Sequence, residues 1–139
     1  MGAGPRRARP LGAAPPDGRL AVVLGTMGGD SQPQVLLQLL ARLLHHGQSP
    51  GRALSAPRWT LARDGTGFDT WAADGPDRVA LEAGAPPAWD DGLVRRGHRV
   101  EHLPRGANVG HAHVIRVLPE GTYAGASDAR ALSGAAVGA

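Results

Sequence analysis

An α+β fold is predicted by three features of this 139-residue chain. A short apolar run, Leu20 to Leu24, passes through Gly25, Gly28 and Gly29 into a long helix, Pro33 to His46. His111 to Leu118 alternates along its length and meets Thr122 to Ala126 through a Glu120-Gly121 turn, the pattern of a hairpin. Between them, Arg78 to Glu82 and His98 to Leu103 read as strands on either side of a helix, Ala85 to Arg96.

Each element has a local reason. Gly25 is expected to end the first strand, and Gly28-Gly29 to form a turn without Cβ atoms to shield its backbone. Asp30 or Ser31 can cap the following helix, Pro33 suits its first turn, and Gly47 stops it. Gln34, Gln38, Arg42 and His45 make one narrow polar stripe on a helix that is otherwise apolar. Such a helix calls for cover on most sides, and few long apolar segments remain to give it, so part of the covering surface is expected from outside this chain. Ser49-Pro50 opens a short helix, Gly51 to Ser55, with Ser49 as cap, and Trp59 to Leu61 is a short strand candidate. Residues 64–76 read as a loop. Trp89, Leu93 and Val94 are placed on one face of the Ala85 to Arg96 helix, which Gly97 ends. Residues 1–16, rich in Gly, Ala, Pro and Arg, read as a flexible or divergent leader, and residues 17–139 as one domain.

Composition removes several function classes. There is no cysteine, so thiol chemistry and thiolate metal sites are excluded. All fifteen basic residues are arginine, which excludes a lysine Schiff base or lysine base within the chain. Arginines are dispersed and aromatics scarce, unlike a nucleic-acid surface. No stretch has the length and apolarity of a membrane span. Pro10, Pro15, Pro16 and Asp17 interrupt the segment after Arg6-Arg7, so no export signal is read. That leans towards the cytoplasm. His111-x-His113 has a spacing that can hold a metal, but no third ligand is evident and no metal is assigned. His45-His46 suits the negative end of a helix.

The string Gly25-Thr26-Met27-Gly28-Gly29-Asp30, followed by Gln32-Pro33-Gln34, resembles the Gly-Gly segment of the gamma-glutamyltransferase (gamma-glutamyltranspeptidase) family. Further matches come in the same order: Ala53-Leu54-Ser55-Ala56-Pro57-Arg58-Trp59, Gly97-His98-Arg99-Val100, Gly110-His111-Ala112-His113 and Tyr123-Ala124-Gly125-Ala126-Ser127-Asp128-Ala129-Arg130. The resemblance runs from about Asp17 to the C-terminus.

The resemblance implies part of an N-terminal-nucleophile hydrolase, an αββα sandwich, with this chain as the C-terminal part of the small subunit. In that family a self-cleaving precursor exposes a threonine. Its hydroxyl attacks a gamma-glutamyl amide and its α-amine acts as base. No threonine here matches the nucleophile, so the chain alone is expected to be inactive. It would need the upstream large-subunit and Thr-bearing segments as partners, a gamma-glutamyl small molecule as substrate, and no cofactor. What carries over are the backbone amides of Gly28 and Gly29 as the oxyanion hole. The family's substrate-holding residues lie upstream. Its pair of serines before the first turn is missing, since the first serine here is Ser31, and Asp30 stands where typical members have serine. The family's reaction is transfer or hydrolysis of gamma-glutamyl amides of the glutathione type; the missing pair puts its route of carboxylate recognition in doubt, and Asp30 implies a divergent branch with a donor other than glutathione. An Asp128–Arg130 link is expected near the last strand. The alternative reading is a non-catalytic fragment acting as a structural or interaction module.

Overall fold

The computed structural model describes residues 12–13, 18–62, 78–107 and 110–138. Among these, the strands form two sheets. The first has the order β1 (Gly12–Ala13), β2 (Val22–Met27), β6 (His111–Val117) and β7 (Tyr123–Ser127), antiparallel throughout. The second has the order β3 (Trp59–Ala62), β4 (Arg78–Glu82) and β5 (Arg99–Leu103). β3 and β4 are antiparallel; β4 and β5 are parallel and joined through helix α3 (Pro87–Val94), the crossover that parallel neighbours require. No helix among the described residues is long and apolar enough to cross a membrane.

The hairpin of β6 and β7 forms as expected, with Gly121 at φ 86° in its turn. The first strand differs from expectation. It starts at Val22 and runs through Gly25 to Met27, because β6 supplies a partner for every residue from Val22↔Arg116 to Met27↔His111. Gly25 takes its place in that ladder opposite His113, where glycine still offers a full backbone donor and acceptor. β1 adds Gly12↔Val23 and Ala13↔Val22, inside the stretch read as a leader.

Helix α1 (Gln32–Leu40) is shorter than the sequence predicts. It continues as a π-helical turn, Ala41–His45, closed by His46 N–H to the Ala41 carbonyl at 3.0 Å. Gly47 ends it at φ 62°, as expected. Val35, Leu39 and Leu43 repeat every four residues and are almost fully buried. They pack on Val22, Leu24, Ala112 and Val114 of the first sheet and on Ala53 and Leu54 of α2 (Pro50–Ser55). Ser49 caps α2, accepting from the Arg52 N–H at 3.4 Å.

The polar stripe of α1 grips the edge of the second sheet. The Gln38 side chain donates to the Trp59 carbonyl at 2.8 Å and accepts from the Trp59 N–H at 3.1 Å. One turn earlier, the Leu61 N–H donates to Gln34 Oε1 at 2.6 Å. Two glutamine amides thus stand in for the strand that β3 lacks on that side. Arg42 reaches the Pro57 carbonyl and lies over the Trp89 ring. Leu37 remains 62% exposed.

The third helix is also corrected. α3 spans Pro87–Val94 rather than Ala85 to Arg96, and Val94 is exposed while Trp89 and Leu93 are half-buried. The loop read at 64–76 lies outside the described residues.

Four charges lock the two sheets together. Glu82, the last residue of β4, is fully buried and receives Arg130 through both oxygens, with Nε to Oε1 at 2.6 Å. It also accepts the N–H groups of Arg58 at 2.9 Å and Gly106 at 2.7 Å. Asp128, just past β7, accepts Arg130 Nη1 at 3.0 Å and Arg58 Nη2 at 2.5 Å. The expected Asp128–Arg130 link is therefore present, with Arg58 and Glu82 as unanticipated partners. Arg130 further donates to the carbonyls of Leu54 and Ala56. Two guanidinium and two carboxylate groups make the cluster neutral, and bidentate geometry offsets much of their desolvation.

Burial pushes both carboxyls up, but the arginines and backbone N–H groups around them win. Glu82 is held below its usual range by Arg130 and by the Gly106 and Arg58 N–H groups. Asp128 is held down by the Arg130 N–H and by the guanidinium groups of Arg58 and Arg130.

Removing one partner strands a buried charge. Glu82→Ala should lose about 3–5 kcal/mol of unfolding free energy, measured by urea titration at neutral pH. The depressed carboxyls also set an acid limit. Their stabilisation is complete above the unfolded carboxylate range of about 4 and is lost as pH falls through the lower folded values. The melting temperature should therefore hold from neutrality to about pH 5 and fall progressively below about pH 4; a charge-compensated Arg58→Gln, Asp128→Asn variant should show a flatter acid limb.

Candidate active site

The loop between β2 and α1 turns within two glycines. Gly28 has φ 147° and Gly29 φ 56°, and the chain then makes one 3-10 turn, Gly29–Ser31, before α1. Gly28 has no room for a Cβ. It would stand 2.6 Å from Ser31 Oγ and 3.0 Å from the Gly110 Cα. At Gly29 the space is open, and the left-handed backbone alone favours glycine.

Ser31 does not cap α1 with its side chain. Its hydroxyl donates instead to the Gly28 carbonyl at 2.7 Å, and its N–H reaches the same oxygen at 3.2 Å. That carbonyl is drawn towards the helix. In a trans peptide the N–H points opposite to the C=O of the same unit, so the Gly29 N–H faces away from Ser31. Among the described residues, no backbone carbonyl accepts from the Gly28 or Gly29 N–H. The α1 dipole places its positive end at the same turn.

Gly110 holds the turn from the other side. Its φ is 66°, and a Cβ there would strike the Met27 carbonyl and lie 3.0 Å from Thr26 Oγ1. Thr26 Oγ1 donates to the His111 carbonyl at 2.9 Å, so the end of β2 and the start of β6 are stitched by side chain as well as ladder.

Val23, Met27, His113 and Ile115 stand on the face of the first sheet away from α1, all exposed. His111 lies opposite Met27, and Ser127 lies opposite His113. Ser127 Oγ is buried and has no hydrogen-bond partner among the described residues. The tail returns here: a Cβ at Gly134 would meet Ser127 Oγ at 2.5 Å and His113 Cε1 at 3.1 Å. Asp128 is directed elsewhere, to the buried arginines. Ser127 and Asp128 are therefore neighbours in sequence that serve different places. Among the described residues, no cluster of three or more His, Cys, Asp or Glu side chains suits a metal. His45 and His46 are exposed at the end of the π-helical turn, with rings 4.8 Å apart.

Sequence reasoning singled out Gly28 and Gly29 but missed Gly110. Its signal was present, since Gly110 opens the matched Gly110-His111-Ala112-His113 string, but nothing local says which turn it touches.

The fold and motifs agree with known proteins. The profile of the gamma-glutamyltranspeptidase family matches residues 10–138. The oxamate amidohydrolase proenzyme of Klebsiella pneumoniae subsp. pneumoniae is 38% identical over 130 residues, covering 93% of this chain and 23% of that protein. The glutathione hydrolase-like YwrD proenzyme of Bacillus subtilis is 33% identical, covering 87% of this chain and 22% of that protein. The chain thus spans under a quarter of the length of these curated relatives. Among solved structures, an acivicin-inhibited gamma-glutamyltranspeptidase superposes with a TM-score of 0.70 at 23% identity, covering 96% of this chain and 66% of that one. A cephalosporin acylase from Bacillus halodurans gives 0.63 at 30% identity, covering 77% of this chain and 18% of that one. From residue 10 to residue 138, this chain belongs to the gamma-glutamyltranspeptidase family and carries part of its N-terminal-nucleophile hydrolase fold.

Proposed function

We propose that this chain supplies the oxyanion-binding turn of an amide-cleaving acyl-transfer enzyme, with Gly28 and Gly29 as the donors. The observation that carries the reading is the Gly28 carbonyl. Ser31 holds it towards the helix, which leaves the Gly29 N–H directed outward at the positive end of α1.

In this reading a threonine from a partnering segment attacks the amide carbon. Its hydroxyl proton passes to its own α-amine and then to the leaving amine. The carbonyl oxygen becomes negative in the tetrahedral intermediate, and preorganised N–H groups favour it there more than in the substrate. Water or an amino acid then takes the acyl group from the threonine ester.

The substrate class is that of the family: a gamma-glutamyl amide. A second, smaller donor is supported by two observations. The chain has no serine before Ser31, so the family's paired hydroxyls for the substrate carboxylate are not among its residues. The Klebsiella relative is named for oxamate, the monoamide of a two-carbon diacid.

The test removes one N–H without disturbing the turn. Proline at position 29 is unsuitable, because its φ near −65° conflicts with the observed 56°. Replacing Gly29 with glycolic acid exchanges the N–H for an ester oxygen and keeps the backbone free. In the enzyme assembled with its threonine-bearing segment, turnover of a gamma-glutamyl anilide and of oxamate should be compared. The ester should lower kcat on the order of a hundredfold or more while KM changes less. Wild-type turnover in a folded ester variant would show that the oxyanion is held elsewhere. A wild-type assembly inactive on both amides would favour a non-catalytic module.

A further inference from the structure

Arg58 links the buried charge cluster to Gly110, the residue beside the glycine turn. Arg58 is 2% exposed and forks. Nη2 meets Asp128 Oδ2 at 2.5 Å, while Nη1 donates to the Gly110 carbonyl at 2.9 Å. Asp128 Oδ2 also accepts the Ala112 N–H at 3.1 Å. The backbone on both sides of His111 is therefore fixed by one ion pair. Gly110 is in turn the residue against which Gly28 packs, with the Gly110 Cα 3.0 Å from where a Gly28 Cβ would stand.

We propose that Arg58 is a positioning residue for the Gly28–Gly29 turn, acting through the Gly110 carbonyl. Its role in turnover rests on the reading of that turn as an oxyanion site. The rest of the cluster does not reach the turn in this way. Arg130 donates to Leu54, Ala56 and Glu82, on the side of α2 and the second sheet, and to Asp128 Oδ1 rather than to the Oδ2 that Arg58 and the Ala112 N–H share. Arg58 has the planar, two-armed shape that spans a carboxylate and a carbonyl at once. A lysine ammonium is a single point on a shorter reach and lacks this fork. With lysine at position 58, the Asp128 contact is kept at the expense of the Gly110 contact, and the loop that supports Gly28 is released.

The test compares Arg58→Lys with Arg130→Lys. In the full chain, two-dimensional amide NMR should show the Gly28, Gly29 and Gly110 resonances displaced by Arg58→Lys and held in place by Arg130→Lys. Both variants remove guanidinium contacts from the same cluster, so loss of stability alone predicts equal displacement. If Arg58→Lys does not fold, the charge-compensated pair Arg58→Gln with Asp128→Asn leaves no charge stranded and should displace the same three amides. In the assembled enzyme, Arg58→Lys should lower kcat by roughly ten- to a hundredfold with KM nearly unchanged, as expected for a small misplacement of a donor. Arg130→Lys, assayed below its melting range, should keep kcat. Unmoved glycine amides, or amides moved equally by both variants, would overturn the positioning role whatever the Gly29 ester kinetics show. Displaced amides with wild-type kcat would instead overturn the oxyanion reading, and Arg58's part in turnover with it.

Discussion

Arg130 holding Glu82 through both carboxylate oxygens is the interaction on which the relation of the two sheets depends. Glu82 ends a strand of the second sheet, and Arg130 lies three residues past the last strand of the first. Neither charge reaches water, so neither tolerates separation. Asp128 and Arg58 close the set, and the backbone N–H groups of Gly106 and Arg58 take up remaining carboxylate lone pairs of Glu82. Apolar residues of the same volume can bury as favourably as such a cluster. What an apolar core lacks is direction. A bidentate pair fixes angle and register as well as distance, and here it fixes where residues 104–107, the end of α2 and the first residues of β6 stand relative to one another.

That fixed frame explains why two glycines far apart in sequence meet. Gly28 leaves no space for a Cβ beside Gly110, Gly110 leaves none beside Met27 and Thr26, and both have positive φ. Either feature alone is common in turns. Together they let two backbones approach more closely than side chains permit, which is how a turn can be held rigid without covering its N–H groups. The Ser31 hydroxyl completes the arrangement by occupying the Gly28 carbonyl. An oxyanion site needs this pre-set geometry, because donors that must reorganise at the moment of reaction lose much of their effect.

Local chemistry makes much of the chain legible. The β6–β7 hairpin, the Ser49 cap and the glycine turn before α1 follow from alternation, capping residues and Gly placement within a few positions. Boundaries fail where a distant partner decides them. Gly25 reads as a stop, but β6 recruits it into a ladder. The Pro33 to His46 periodicity reads as one helix, while the structure changes to a π-helical turn at Ala41. The Gln34 and Gln38 stripe is visible in sequence, but its target, the edge of β3, lies more than twenty residues away. The charge cluster is half visible. Asp128 and Arg130 are two residues apart and pair on sight, whereas Arg58 and Glu82 join them across separations of 70 and 48. Arg58 has its place inside a matched motif as a hint, and Glu82 has none. Gly28 and Gly29 stand out through the family string, and Gly110 does not, since a contact between backbones leaves no pattern in side chains.

The exposed apolar residues carry the last step. α1 and α2 cover one face of the first sheet, and the core lies between them. Among the described residues the second sheet meets α1 at the edge of β3, through glutamine amides. Val23 and Ile115 stay 43% and 48% exposed on the first sheet's other face, and Tyr123 74%. These are ladder residues on a regular strand surface, and the family fold stacks a second sheet on such a surface at about 10 Å. The helices on the first sheet enclose the core, and the Gly28 turn follows directly after β2 at the edge of that layer. In the proposed reading, a reacting group brought in by a facing sheet would arrive on the exposed face that carries Val23, Met27 and His113.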